Sequence, residues 1–314
     1  MRAALRATIR SHAGMDALLL LMVIIWGGNY TLLKILFRHI PPMPFNAVRL
    51  VVSSLVFLAL VWWDDRDRER SSFARLSLRD LAWMGALGLL GHFLYQTLFV
   101  VGLSKTSVAN SVLIIGCSPV AIALASAAAG HERIARGHWA GLALSLLGLY
   151  FVAGHGARFS GESASGDLMI ITSVACWAGY TVGCRGLLAR HSPLFVNAIT
   201  IVAGMLAFVP ASIPAMGRVA WGDLSPWVWV GTVVSALLAI NLAYLIWYTA
   251  VQRIGAPRTS VFSNMVPLAG LAIAWVVLDE PIQRSKLLGA ACILVGIALT
   301  RIANRNRVEQ PPEE

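Results

Sequence analysis

The sequence has few charged residues and no long polar segment. Of its 314 residues, 13% are charged and 58% are hydrophobic, whereas soluble domains carry about 25% charged residues. The longest polar stretch is DDRDRERSSFARLSLRD at 64–80, which is too short for a soluble domain. The four cysteines form no C-x-x-C or Cys/His spacing, and no acidic residue falls near the middle of an apolar run. These shortages argue against a soluble protein, and we predict no metal site and no cofactor.

Apolar runs of membrane-spanning length are abundant instead. A helix needs about 20 apolar residues to cross a bilayer. Runs near that length recur along the chain, and we place ten spans at 17–36, 44–63, 81–102, 108–130, 138–155, 167–187, 195–215, 227–250, 259–278 and 287–303. The N-terminus resembles a signal peptide, but its apolar run continues through WGGNYTLLKIL, so we expect a retained helix.

The basic residues are distributed unevenly between the loops. With the N-terminus placed inside, most of the 25 Lys and Arg residues fall on the inner side of the ten spans, and an excess of these residues marks the cytoplasmic side. We therefore predict a multi-pass protein of the bacterial inner (cytoplasmic) membrane with both termini in the cytoplasm. The net charge of +10 then belongs to the membrane surface, and we expect membrane lipid rather than nucleic acid as a partner.

The chain also repeats itself. The stretch WGGNYTLLK at 26–34 is echoed by WAGYTVGCR at 177–185. Further matches between the halves are Pro42 with Pro193 and Asn46 with Asn197, 151 residues apart, then Pro119 with Pro267 and Glu132 with Glu280, 148 residues apart. Each copy holds five predicted spans, an odd number, so the second copy enters the membrane from the opposite side. The sequence thus predicts an all-α membrane protein of ten transmembrane helices in two inverted five-helix repeats, an arrangement known from secondary transporters.

These repeats resemble the drug/metabolite transporter superfamily, specifically its ten-helix EamA-type exporters. WGGNYTLLK and PPMPFNAVRL carry the resemblance in the first half, and GAPRTSVFSNMVPLAGLAIAWVVLDEPIQRSKLLGAACILVGIAL carries it in the second. We divide the chain into a cytoplasmic N-terminus at 1–16, a first EamA repeat at 17–155, an external connector at 156–166, a second repeat at 167–303 and a cytoplasmic tail at 304–314. The resemblance makes the pair Glu132 and Glu280 expected, and we interpret both as gating groups at helix ends, with a purely structural role there as the alternative.

Polar side chains inside the spans indicate a central cavity, because such groups are costly in lipid and usually face a water-filled space. His92, Tyr95 and Gln96 share one face of the third span, and Asn241, Tyr244 and Tyr248 share one face of the eighth. The predicted substrate-binding residues are Trp26, Asn29, Tyr30, Lys34, Arg49, His92, Tyr95, Gln96, Trp177, Tyr180, Asn241, Tyr244 and Tyr248. An alternative for Lys34 is a side chain that extends to the interface.

Two prolines are predicted as hinges. Pro119 and Pro267 fall within matching spans, where each removes a backbone hydrogen bond and favours a kink. A fixed bend is the alternative interpretation.

The charges within the spans narrow the expected function. Apart from Arg185 and Arg301 at the inner ends of their spans, Lys34 and Arg49 are the only bases there, so the cavity is neutral to positive and suits a zwitterionic or anionic small molecule. We expect a secondary transporter, an exporter or facilitator of amino acids or related metabolites that works by alternating access. His92 is the one deep group that titrates near neutral pH, so movement is either facilitated diffusion or weakly linked to protons. A monomer is compatible with this pattern.

Two alternatives remain. One is a phosphorylated-sugar or nucleotide-sugar exchanger of the same superfamily, although two bases are few for a phosphate. The more remote one is an intramembrane enzyme, which would need a nucleophile and base at depth. The spans supply no acidic partner for His92, so we expect no enzyme.

Overall fold

A computed structural model describes residues 12–66, 71–106, 108–130, 136–151, 161–278, 284, 287–289, 291–292, 294–296 and 298–299. Within these ranges the regular structure is helical and no strand is present. Seven helices of this part are long and apolar enough to cross a membrane: Ala13–Leu36, Pro42–Asp65, Leu78–Lys105, Ala164–Leu188, Pro193–Met216, Pro226–Ile254 and Arg258–Val277. Shorter apolar helices at Ser118–Ala128, Trp139–Gly148 and Leu287–Gly296 lie where the fourth, fifth and tenth spans were predicted.

The helices begin at equivalent positions in the two halves. The first half contains α1 (His12–Leu36), α2 (Pro42–Asp65), α3 (Leu78–Gly88), α4 (Tyr95–Lys105), α5 (Val108–Ile115), α6 (Ser118–Ala128) and α7 (Arg136–Leu149). The second half contains α8 (Gly161–Gly183), α9 (Arg185–Leu188), α10 (Pro193–Met216), α11 (Pro226–Ser235), α12 (Ala243–Ile254), α13 (Ala256–Ser260) and α14 (Val266–Leu278). Proline in the first turn favours the start of both α2 and α10. Ser77 and Ser192 accept hydrogen bonds from the backbone at the starts of α3 and α10.

The third and eighth predicted spans are each interrupted by a π-helical turn. Leu89–Leu94 joins α3 to α4, and Ala236–Leu242 joins α11 to α12. The 148-residue offset carries the first turn onto the second. A π turn adds a residue to the helical repeat and is frequent at functional sites. His92 and Asn241 lie within these two turns.

The fourth and ninth predicted spans are interrupted as well. α5 ends at Ile115 before α6 begins, and a 3₁₀ turn at Val261–Met265 precedes α14. Pro119 and Pro267 are the second residues of α6 and α14, where the missing N–H needs no helical partner. The prolines therefore start helical segments instead of kinking continuous helices, and their hinge role stays a prediction.

The first helix of each half packs into the other half. α1 lies against α12 and α14, while α8 lies against α4 and α6. The equivalent helices α2 and α10 pack on each other. A Cβ atom at Gly27 would lie 2.7 Å from the backbone nitrogen of Gly270, so α1 and α14 touch backbone to backbone. Because the first helix of each half packs against the other half, residues of both repeats lie at the centre of the bundle.

Candidate functional site

A cavity lies between the two repeats at the centre of the bundle. It has a volume of about 60 Å³, which is large enough to admit water. The predicted substrate-binding residues that line it are Trp26, Asn29, Tyr30, Arg49, Tyr95, Gln96, Trp177 and Tyr244.

Aromatic rings from both repeats form one wall of the cavity. The equivalent residues Trp26 and Trp177 have ring centroids 5.8 Å apart. Each also contacts Tyr244, at 6.0 and 5.3 Å, and Trp247, at 5.5 Å for both. The indole Nε1 of Trp26 donates a hydrogen bond of 3.0 Å to the carbonyl oxygen of Ala239, in the second π turn. This bond orients the ring, so the cavity has a rigid aromatic wall.

Arg49 supplies the charge of the cavity. Its side chain, on α2, is 98% buried. Nη1 donates a 3.0 Å hydrogen bond to Asn46 Oδ1, and the guanidinium carbon lies 5.2 Å from the centroid of the Phe45 ring. Within the part of the chain that the structure describes, Nε has no hydrogen-bond partner. Among the described residues, no carboxylate lines the cavity or pairs with Arg49, so the site is positive.

Uncharged polar groups complete the lining. Gln96 Nε2 donates a 3.1 Å hydrogen bond to the Tyr244 hydroxyl, which joins equivalent positions of the two repeats. Ser235 Oγ donates a 2.6 Å hydrogen bond to Asn29 Oδ1. Gln96 Oε1 is buried and, within the described part of the chain, accepts no hydrogen bond. The cavity therefore offers a neutral acceptor beside its one buried cation.

Three predicted site residues lie behind the aromatic wall and not in the cavity: His92, Tyr180 and Tyr248. The Tyr180 hydroxyl is 2.8 Å from His92 Nε2 and 2.8 Å from Thr200 Oγ1. The rings of Tyr180 and Tyr248 are 5.3 Å apart, and both contact Trp177. All four side chains of this His92 cluster are fully buried. Thr200 holds the position equivalent to Arg49, 151 residues on.

Two other predicted residues bond to the backbone of neighbouring helices. Asn241 Nδ2 donates a 3.0 Å hydrogen bond to the carbonyl oxygen of Ser53 in α2. Lys34 Nζ donates hydrogen bonds of 2.7 Å to the carbonyl oxygens of Leu103 and Thr106, at the end of α4. Neither residue lines the cavity.

The proposed gating pair, Glu132 and Glu280, lies outside the described residues.

The sequence reasoning missed the residues contributed by the interrupted helices. Ile115 and Ser118 line the cavity, as do Ser263 and Val266, and the 148-residue offset relates these two pairs. Their position beside the paired prolines was the available signal. The hydroxyls of Ser118 and Ser263 donate to the backbone three residues earlier, so each has lone pairs left to accept a hydrogen bond.

Comparison with known proteins identifies the family. The model of the EamA-like transporter family matches this chain twice, over residues 14–154 and 164–302. The chain belongs to the EamA-like transporter family. The predicted resemblance is thereby confirmed, and the protein is a multi-pass transmembrane transporter built from two EamA repeats.

Two relatives and a solved structure match this chain over nearly its whole length. The chain is 26% identical over 306 residues to the uncharacterized transporter YyaM of Bacillus subtilis (strain 168), covering 95% of this chain and 98% of the relative. It is 24% identical over 302 residues to a probable amino-acid metabolite efflux pump of Salmonella typhimurium (strain LT2), covering 92% and 95%. A crystal structure with 21% identity has a TM-score of 0.76 and covers 96% of this chain and 100% of its own. At that identity the structure supports the fold alone.

Proposed function

We propose that this EamA-family transporter is an exporter or facilitator of small organic solutes, most suited to amino acids or related metabolites. The observation that carries the proposal is a single cavity lined by equivalent residues of both repeats, Trp26 with Trp177 and Gln96 with Tyr244. The substrate class has support from the relative that is named as an amino-acid metabolite efflux pump.

We further propose ten transmembrane helices in two inverted five-helix repeats, with both termini on the cytoplasmic side of a bacterial inner membrane. The matching π turns and matching helix interruptions support equivalent halves, and such halves can exchange conformations. In the state described here, the cavity contains Arg49, while the equivalent Thr200 is sealed in the His92 cluster. Exchange would open that cluster and close the cavity, which gives alternating access.

Several residues keep their proposed roles in this cycle. His92 is the candidate for weak proton coupling, with facilitated diffusion as the alternative. Pro119 and Pro267 are candidate hinges, and Glu132 and Glu280 are candidate gates. A phosphorylated-sugar exchanger is less favoured, because among the described residues Arg49 is the one base that lines the cavity.

Counterflow in proteoliposomes tests the transport function. Purified protein is reconstituted with unlabelled solute inside, and uptake of labelled alanine, leucine, phenylalanine, glucose 6-phosphate and choline is followed. We expect exchange of at least one amino acid, reduced in Trp177→Ala and unchanged in Trp275→Ala, because Trp275 is half exposed and outside the cavity. If no solute exchanges through well-folded protein, the proposal is wrong.

A second experiment tests proton coupling. Uptake of the exchanged solute is measured with and without a pH gradient, in the wild type and in His92→Ala. Coupling through His92 predicts that the variant loses its dependence on the gradient. An unchanged dependence would remove His92 from that role.

A further inference from the structure

We propose that Arg49 binds a carboxylate of the transported solute, and that this carboxylate is required while an ammonium group is dispensable. The inference rests on the proposed function and specifies the chemistry of the same cavity. It distinguishes carboxylate-bearing solutes, zwitterions and simple acids alike, from amines and neutral molecules.

The charge of Arg49 has no counterion within the described part of the protein. A charged side chain within a membrane-spanning helix is costly unless it is paired or faces a polar cavity. The Arg49 side chain is 98% buried, and the group that accepts a hydrogen bond from its Nη1 is the neutral amide oxygen of Asn46. A bound anion would neutralise this charge when the cavity closes around it.

The guanidinium is also oriented for such a ligand. The Phe45 ring lies beside its planar group, and Asn46 accepts from one of its five N–H donors. Nε is buried and has no partner among the described residues, so it is available to donate. A planar fork of N–H groups matches a carboxylate in a bidentate manner. Arg49 is therefore held in place with part of its donor fork unused.

An ammonium group of the solute finds no carboxylate to bind among the described residues of the cavity. No carboxylate of a described residue lines the cavity, and its unpartnered acceptor, Gln96 Oε1, is neutral. The aromatic wall can contact an ammonium or an alkyl group without requiring either. The asymmetry of the repeats adds to this, because the position equivalent to Arg49 is the neutral Thr200. The repeat fold thus does not demand a cation there, which favours a ligand-binding role.

Competition in the counterflow assay tests the requirement. Labelled leucine is the exchanged solute, and unlabelled leucine, 4-methylpentanoate, leucinamide and 3-methylbutylamine compete from outside. We expect competition by leucine and 4-methylpentanoate, which keep the carboxylate, and at least 10-fold weaker competition by the two compounds that lack it. The same series built on alanine or phenylalanine is used if one of these is the exchanged amino acid.

Variants connect the preference to the residue. Arg49→Gln is expected to weaken competition by the carboxylates about 10- to 100-fold, the usual effect of losing a hydrogen bond to a charged group. Arg49→Lys should restore part of it, and Arg218→Gln, an equal charge loss at an exposed residue outside the cavity, should leave it unchanged. Size-exclusion chromatography and thermal unfolding check that each variant is folded.

The outcomes separate the two proposals. If the wild type exchanges no solute, the proposed function fails and this inference falls with it. If the wild type exchanges solutes but amines or amides compete as well as acids, the carboxylate requirement alone is wrong. An unchanged preference in folded Arg49→Gln would also overturn the inference, because another group would then hold the anion.

Discussion

Replacing Lys34 with methionine should weaken the fold and leave solute recognition intact. The ammonium group of this half-buried residue donates to the carbonyl oxygens of Leu103 and Thr106, each at 2.7 Å. These carbonyls end α4, where backbone acceptors lack helical partners and the helix dipole favours a cation. Thr106 in turn donates a 2.6 Å hydrogen bond to Asp167 in α8. Lys34 therefore helps to join α1, α4 and α8.

The magnitude follows from the two hydrogen bonds. A hydrogen bond to a charged group contributes about 1.5–3 kcal/mol, and partial exposure lowers the electrostatic part. We expect a loss of about 2 kcal/mol for the pair, since methionine keeps the apolar length of the side chain. At roughly 2–4 °C per kcal/mol, the melting temperature in detergent should fall by about 4–8 °C.

Thermal unfolding and counterflow kinetics together test this reasoning. Lys105→Met is the matched control, because Lys105 is an exposed lysine at the end of α4, the helix whose last carbonyls Lys34 binds. Lys34→Arg should keep most of the stability. If Lys34→Met leaves the melting temperature unchanged and raises the KM of the exchanged solute, Lys34 belongs to the binding site and the capping argument is wrong.

Three further predictions concern contacts between the repeats. Gly204→Ala should destabilise the protein by about 1–3 kcal/mol, because its Cβ would lie 2.8 Å from the Gly88 carbonyl oxygen; thermal unfolding beside Gly85→Ala, where a Cβ meets open space, measures the difference. Tyr180→Phe should cost about 1–3 kcal/mol by removing the hydrogen bonds of its hydroxyl to His92 and Thr200, an effect absent from the exposed control Tyr150→Phe. Trp26→Phe should lower the affinity for the exchanged solute, measured as KM, because the ring loses its 3.0 Å hydrogen bond; an unchanged KM would contradict the orienting role.

The broad architecture follows from composition and periodicity. Long apolar runs select helices in a membrane, because a backbone in lipid must satisfy its own hydrogen bonds. The offset between the halves also identifies Trp26 and Trp177 as equivalent residues. Equivalent residues of paired repeats can meet at the common centre, and these two rings do so. These features could be predicted because each depends on residue type and spacing alone.

The details of the site depend on features with no periodic signature. His92, Tyr95 and Gln96 share a face of an ideal α-helix, but the π turn at Leu89–Leu94 changes the register. His92 consequently contacts Tyr180, whereas Tyr95 and Gln96 line the cavity. Lys34 could not be assigned from the sequence either, because its acceptors are backbone atoms about 70 residues away in the chain.

The two repeats share the same irregular features of the backbone and differ in their polar residues. Both contain a π turn, an interrupted helix before a proline, and a tryptophan at the centre. Arg49 and Thr200, by contrast, occupy equivalent positions with different charge. Under the proposed alternating access, equivalent backbones would give the halves two interchangeable conformations of similar energy. With unequal side chains, a bound anion would be held by the cation Arg49 in one conformation and would meet the hydroxyl of Thr200 in the equivalent place of the other. Backbone symmetry would then account for the movement, and side-chain asymmetry for the release of the solute.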